Sequence, residues 1–449
     1  MKRIRLTALL ALLAFTAPLA TSVPAQPLRG SYFFETSLLR SKLNPAFAPQ
    51  TDLYISVPVA GYASADILSN VGLGNFLFAD GDKNYTFLND RVDAATFFDK
   101  LPQKDPFLNA RYETDMIGGG YRLNDKLFLT AALSVTGYLN ATVPQELLRF
   151  AKTGRSGATR NWSIQELKAS YLSYATLSAG ASYDLGELVP GLSVGGRLKL
   201  MTGLKSAVGT LHRLDVKMED DCFSATTRGE VNLAGFSYDP EDGFRKDDFK
   251  FRGFGAAIDL GAEYRLRFDG LINGLNLSAS VDNLGRLSLG EADRFLTEKT
   301  ASFEGFQDVG TDFDFQAALD QVTADFSKLL ELDSAGKNHL SYVLAPEIHA
   351  GIEVPFLNER LSAGLLYSYN LYKSHLTLAF NTSPLEWLNL SANYTFGPSN
   401  TFGFYAEYIP AKYVGIFLGF EKASWKTNKH LLGIHDFTES LCFGLNVLL

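Results

Sequence analysis

Along much of this chain the apolar residues fall at every second position. In the last nine residues, Leu441, Phe443, Leu445, Val447 and Leu449 alternate with Cys442, Gly444, Asn446 and Leu448. A period of two describes a β-strand with one greasy face. From Phe254 to Phe268 one face reads Phe254, Ala256, Ile258, Leu260, Ala262, Tyr264, Leu266 and Phe268, while the other carries Asp259, Glu263, Arg265 and Arg267. Leu127 to Thr136, Leu192 to Met201 and Leu275 to Asp282 repeat the pattern, the second with Arg197 and Lys199 on its polar face. A first strand is expected at Leu53 to Tyr62. From about residue 342 a continuous meander is expected, with strands near 343–355, 360–372, 374–383, 386–397, 401–410, 412–423 and 439–449. Turn residues separate several of them: Asn358-Glu359, Ser383-Pro384, Gly397-Pro398-Ser399-Asn400 and Pro410-Ala411.

These runs imply an all-β chain, a single antiparallel transmembrane β-barrel of about 14 strands. A soluble sandwich would use the same alternation. The run from Phe254 spans 15 residues, however, beyond the roughly 5–6 of a globular strand and ample for a tilted membrane strand of about 9–11. In a barrel the apolar face meets lipid, and Arg197, Lys199, Asp259, Glu263, Arg265 and Arg267 face the lumen. A final strand left unpaired would be a sticky edge, which closure onto the first strand removes. The C-terminal stretch resembles the β-signal of bacterial outer-membrane barrels. Gly444, Val447 and Leu449 fit; Cys442 stands where a polar residue is usual, and the last residue is Leu where an aromatic is common. Tyr367, Tyr369, Tyr372, Trp387, Tyr394, Phe396, Tyr405, Tyr408 and Tyr413 mark strand ends, where membrane–water interfaces collect aromatic rings. Gly195, Gly196, Gly255 and Gly261 lie inside strands, where they let a sheet bend.

Three segments read as helices. One is capped by Asn89 or Asp90 and runs through Val92, Ala95, Phe98 and Leu101; one starts at Pro144 and stops near Gly154. The third, Thr311 to about Leu332, aligns Phe315, Leu319, Val322, Phe326 and Leu329 in one apolar stripe, to cover a barrel mouth or to meet a partner.

Composition adds the compartment. Lys2, Arg3 and Arg5, the apolar run Leu6 to Leu19 and the small-residue end Val23-Pro24-Ala25 predict a signal peptide over 1–25, with Gln26 as mature start. No later segment offers the 18 or so consecutive apolar residues of a transmembrane helix, yet 46% of residues are hydrophobic and 13% aromatic. The formal charge of -8 falls to near -11 once the three cations of the signal are removed, which argues against nucleic acid. Cys222 and Cys442 have no metal spacing; a single bridge and two free thiols both fit. The six histidines are scattered, and no serine–histidine or phosphate-loop signature is present. No enzyme, metal or cofactor is expected.

The stretch Leu38-Leu39-Arg40-Ser41-Lys42-Leu43-Asn44-Pro45-Ala46-Phe47-Ala48-Pro49 precedes the first strand and is irregular. Asn44-Pro45-Ala46 is similar to the Asn-Pro-Ala motif in the N-terminal hatch of long-chain fatty-acid transport (FadL-like) barrels. With Gly72 to Leu77 and Pro144 to Phe150, the mature chain resembles an uncharacterised Bacteroidetes-type outer-membrane family related to those barrels and to secretion-associated barrels. The resemblance implies a plug-like segment at 26–52, a barrel at 53–449, a bacterial outer-membrane location and assembly by the barrel-assembly machinery into outer-membrane lipid. It further implies passive uptake of a hydrophobic or amphipathic small molecule. The other reading is a structural or secretion-accessory barrel anchoring a periplasmic or surface partner. No ligand-binding residue transfers, because no further motif matches.

Overall fold

The computed structural model describes residues 27–34, 37–80, 83–154, 161–218, 223–239, 243–303, 329, 331–370, 373–397, 400–410, 413–422 and 437–449. The segment expected as a signal peptide, Cys222 and nearly all of the helix expected at Thr311 to Leu332 lie outside them.

The wall is a closed antiparallel barrel of 14 strands. In chain order they are β1 (Leu53–Ser56, resumed at Ala63–Ser69), β2 (Phe107–Asn124), β3 (Leu127–Thr142), β4 (Asn161–Asp184), β5 (Leu192–Met218), β6 (Phe223–Ala234, resumed at Arg252–Arg267) and β7 (Gly274–Phe303). They continue as β8 (Asp333–Val343, resumed at Glu347–Phe356), β9 (Leu361–Asn370), β10 (Lys373–Leu385), β11 (Leu388–Phe396), β12 (Thr401–Tyr408), β13 (Val414–Lys422) and β14 (Phe437–Leu448). Each strand pairs with the next, and the last closes on the first with Tyr54 opposite Leu448 and Ala63 opposite Phe443.

Its sidedness is that of a membrane barrel. On β6, Ile258 and Leu260 are 41% and 48% exposed, while Asp259 between them is at 0% and Glu263, three residues further on, is at 2%. On β14, Leu441 and Phe443 are about half exposed, and Cys442, Asn446 and Leu448 are buried. A globular protein in water hides apolar side chains and displays charge; here the order is reversed, which only a hydrocarbon surround makes favourable.

One end has short turns, such as Asn124 to Leu127 and Leu385 to Leu388; the other carries the long connections. The strands differ greatly in height. β5 has 27 residues and β7 has 30, whereas β12 has 8. At about 3.3 Å per residue β5 is roughly 90 Å long, far more than an apolar band about 25 Å tall requires. A ribbon of β4 to β8 therefore rises past the rim at the long-loop end. Alternation shows only the lower part of these strands: above the band no face has to be apolar, as Thr297 to Ser302 on β7 illustrates.

The first strand departs from the expected Leu53 to Tyr62. Val57 to Tyr62 leave the ladder, because Pro58 has no N–H to donate and Val59 takes φ +65°. At the long-loop end, besides a single helical turn at Leu73–Phe76, lie α1 (Ala94–Phe98) and α2 (Gln145–Thr153). Asp93 caps α1, its carboxylate accepting from Thr96 N–H at 3.2 Å; the cap is not Asn89 or Asp90. α2 begins after Pro144 and ends at Gly154, as expected.

Candidate functional site

The described residues of the segment, 27–34 and 37–49, run inside the barrel. They carry three cations, and each meets wall carboxylates. Arg29 Nη1 lies 3.2 Å from Glu421 on β13, Arg40 Nη2 lies 2.9 Å from Glu263 on β6, and Lys42 Nζ lies 2.8 Å from Asp115 and 3.2 Å from Glu113 on β2. Those strands stand at different sectors of the wall, so the three contacts fix position and rotation together. Between them Tyr32, Phe33, Phe34, Leu38, Leu39, Leu43 and Phe47 pack on inward rings and aliphatic groups, among them Tyr54, Tyr62, Phe128, Leu366, Tyr405 and Phe417. Tyr405, expected at an interface, is thus fully buried in the lumen, where its hydroxyl is 3.2 Å from that of Ser37.

Asn44-Pro45-Ala46 is the tightest contact. Asn44 Oδ1 accepts from Ala46 N–H at 2.9 Å, which closes a local turn around Pro45. Asn44 Nδ2 donates to the carbonyls of Ala262 and Ala279 at 3.3 and 3.2 Å. Ser280 and Ser182 donate hydroxyls to the carbonyls of Leu43 and Ala46 at 2.9 and 2.6 Å. Two glycines make the approach possible. A Cβ on Gly261 would lie 2.0 Å from Asn44 Oδ1, and one on Gly195 would lie 2.1 Å from the Pro45 carbonyl oxygen. Bending of the sheet, expected for these two glycines, is therefore not their main service; close backbone approach is.

The six polar residues singled out on β5 and β6 all lie on the inner side, in two groups. Asp259 is 3.2 Å from Arg197 and 2.8 Å from Lys199. A bulge on β7 brings Asn283 opposite, its N–H donating to Asp259 at 2.8 Å and its Oδ1 accepting from Lys199 at 2.7 Å. Arg197 also donates to the Ser41 carbonyl. Nearer the short-turn end, Glu263 bridges Arg40 and Arg265, the latter at 2.7 Å, while Arg267 reaches Asn276 at 2.8 Å and Glu359 at 3.3 Å. At the C-terminus, Gly444 has room only for hydrogen: a Cβ would lie 2.2 Å from the Phe417 ring and 2.3 Å from the Gly61 carbonyl. Val447 and Leu449 face outward.

Between the segment and the inner faces of β1–β5, β7 and β8 is a cavity of about 130 Å³. It presents cations from Lys42, Arg111, Arg197 and Lys199 and carboxylates from Glu113, Asp115, Asp282 and Glu347. Toward the long-loop end the inner wall turns apolar, with Leu172, Tyr174, Met201, Ala257, Leu287 and Leu289 in one cluster. Tyr174 and Met201 belong to both. Sequence reasoning missed this patch, since Met201 and Leu287 sit at lumen-facing positions where polar residues are the rule. Among the described residues no group of three or more His, Cys, Asp or Glu side chains is placed to hold a metal.

The pattern of a family described as "Family of unknown function (DUF5723)" matches residues 45–417. The chain belongs to this family. No curated protein matches it. Among solved structures it is similar to a Pseudomonas aeruginosa FadL homologue, at 12% identity over 97% of this chain and 99% of that one, with a TM-score of 0.47. It is also similar to the P. putida toluene transporter TodX, at 10% identity over 90% and 91% with a TM-score of 0.43. The translocator domain of autotransporter NalP from Neisseria meningitidis matches at 9% identity over 96% and 100%, with a TM-score of 0.34.

Proposed function

We propose that this family member is an outer-membrane barrel closed by residues 27–49 as a plug, and that it passively takes up an amphipathic small molecule with an ionised headgroup. The observation that carries the reading is the order of surfaces along the inner wall. A solute entering from the long-loop end meets the apolar cluster around Leu287 and Met201, and next the cavity with charges of both signs. A purely hydrophobic ligand gains nothing from that cavity, because displacing water from ion pairs without replacing its hydrogen bonds is costly. An amphipath uses both surfaces. Native mass spectrometry after mild-detergent purification tests this. The expected result is a retained amphipath that is lost in Leu287→Asp; retention of nothing, or equal retention in the variant, overturns it.

A second reading, a barrel that anchors a surface partner, is favoured by the height of the β4–β8 ribbon, which transport does not require. Crosslinking from residues at the top of β5 would reveal such a partner.

A further inference from the structure

β6 is one wall strand interrupted between Ala234 and Arg252, and the inserted chain leaves the wall as a small hairpin, Phe236–Asp239 paired with Gly243–Lys246. The hairpin lies outside the barrel. Phe236 packs edge-to-face on Tyr171 at 6.2 Å, and the Tyr171 hydroxyl is 3.1 Å from that of Tyr112, which is 39% exposed and adjoins the inward Glu113. Lys205 Nζ sits 5.1 Å from the Phe236 ring, and Tyr238 meets Phe295 at 5.6 Å. The excursion is thus braced against the outer face of β4, β5 and β7.

The strand that follows it shows what the hairpin is near. Phe249 and Phe251 are each 67% exposed and stack edge-to-face at 5.3 Å, and Phe254 is 63% exposed. Phe254 begins the outward row that Ile258 and Leu260 continue, so the two upper rings extend the lipid-facing surface at its long-loop edge. Lys250 stands between Phe249 and Phe251, and Arg245 and Lys246 precede them on the hairpin's second strand, all three exposed. From Gly243 to Phe254 four cations stand against two carboxylates, although the whole chain is acidic. One of the two, Asp247, is engaged by Arg252 at 3.5 Å.

We propose that this excursion is a lipid-binding element, with Phe249 and Phe251 seated at the acyl boundary and Arg245, Lys246 and Lys250 on the phosphates of anionic headgroups. Three large rings at about two-thirds exposure are unfavourable in water, and exposed cations close to them in the chain are the combination that interfacial segments use. Loop aromatics in water would have no reason to continue the lipid row. The proposal rests on the membrane location proposed above.

The test places tryptophan at Phe249 in one variant and at Leu260 in another, in vesicles of phosphatidylcholine with brominated acyl chains, with the intact protein's emission subtracted. Both sites are expected to be quenched. With brominated phosphatidylglycerol at a tenth of the lipid, quenching at 249 should rise at least twofold over equally dilute brominated phosphatidylcholine. Lys246→Glu with Lys250→Glu should abolish that excess and leave the Leu260→Trp signal as it was. Quenching at 260 but not at 249 overturns the proposal alone. Equal quenching by the two brominated lipids at 249 removes the phosphate partner and overturns it as stated. Absence of quenching at both sites overturns the membrane reading itself.

Discussion

Asn44 and Gly261 touch so closely that a methyl group on the glycine would lie 2.0 Å from the asparagine oxygen. The side chain in the lumen and the missing side chain in the wall are one feature. Gly261→Ala should therefore push residues 44–46 off the wall and cost the turn its two hydrogen bonds to Ala262 and Ala279. Gly196→Ala makes a strict control, since its nearest neighbour would be an unstrained 3.7 Å away. In planar bilayers Gly261→Ala should show frequent open events where intact protein and Gly196→Ala are closed. Identical traces for all three would detach the Asn-Pro-Ala turn from closure.

The Arg40–Glu263 pair supplies a second test. Both side chains are 2% exposed, so removing one partner leaves a buried charge. Arg40→Leu should lower unfolding stability by about 3 kcal/mol, at the low end for a broken buried pair because Arg265 still holds Glu263. Arg40→Leu combined with Glu263→Leu should regain most of that loss. Denaturant titration into lipid vesicles measures both, and additive losses would mean the two residues act independently.

Strand direction, facing and number were readable because the lipid band imposes a period of two on every strand that crosses it. Leu260 against Asp259 and Phe443 against Cys442 needed no partner to be assigned. Wherever the band ends, so does the signal. β7 was legible from Leu275 to Asp282 and continues to Phe303 without an alternating face. The asparagine–proline turn was legible as a motif, but the glycines that receive it were not, because close approach is a relation between segments some 150 residues or more apart. The apolar patch at Met201 and Leu287 stayed hidden for a similar reason: only the closed barrel brings β5 and β7 residues to one inner surface.

The facing of single residues predicts unequal costs for the same substitution. Leu260 is 48% exposed to the lipid side, whereas Asn276 is 6% exposed and donates to Glu353 at 2.8 Å. Leu260→Arg should destabilise by about 2–4 kcal/mol if near the midplane. Asn276→Arg should be much milder, since Glu353 can pair with the new cation. Equal losses in a vesicle folding titration would contradict the assigned sides.

Removing the lumenal segment tests closure most directly. The wall ladder begins at Leu53, so a chain lacking residues 27–47 retains every strand pair. It loses the packing of seven buried apolar side chains, each worth roughly 1.5–3 kcal/mol when fully buried, and should unfold at lower denaturant. Glu263, Asp115 and Glu421 are not stranded by the deletion, because the emptied lumen fills with water and hydrates them. The shortened barrel should therefore insert, resist mild detergent and conduct, while the intact chain stays near zero. A synthetic peptide of residues 27–49 added to one side should lower the conductance again, and the same peptide with Arg40→Glu and Lys42→Glu should not, since it would bring negative charge to Glu263 and Asp115. A folded deletion barrel that stays closed would show that the wall's own charged side chains seal the lumen, and would favour the anchoring role over transport.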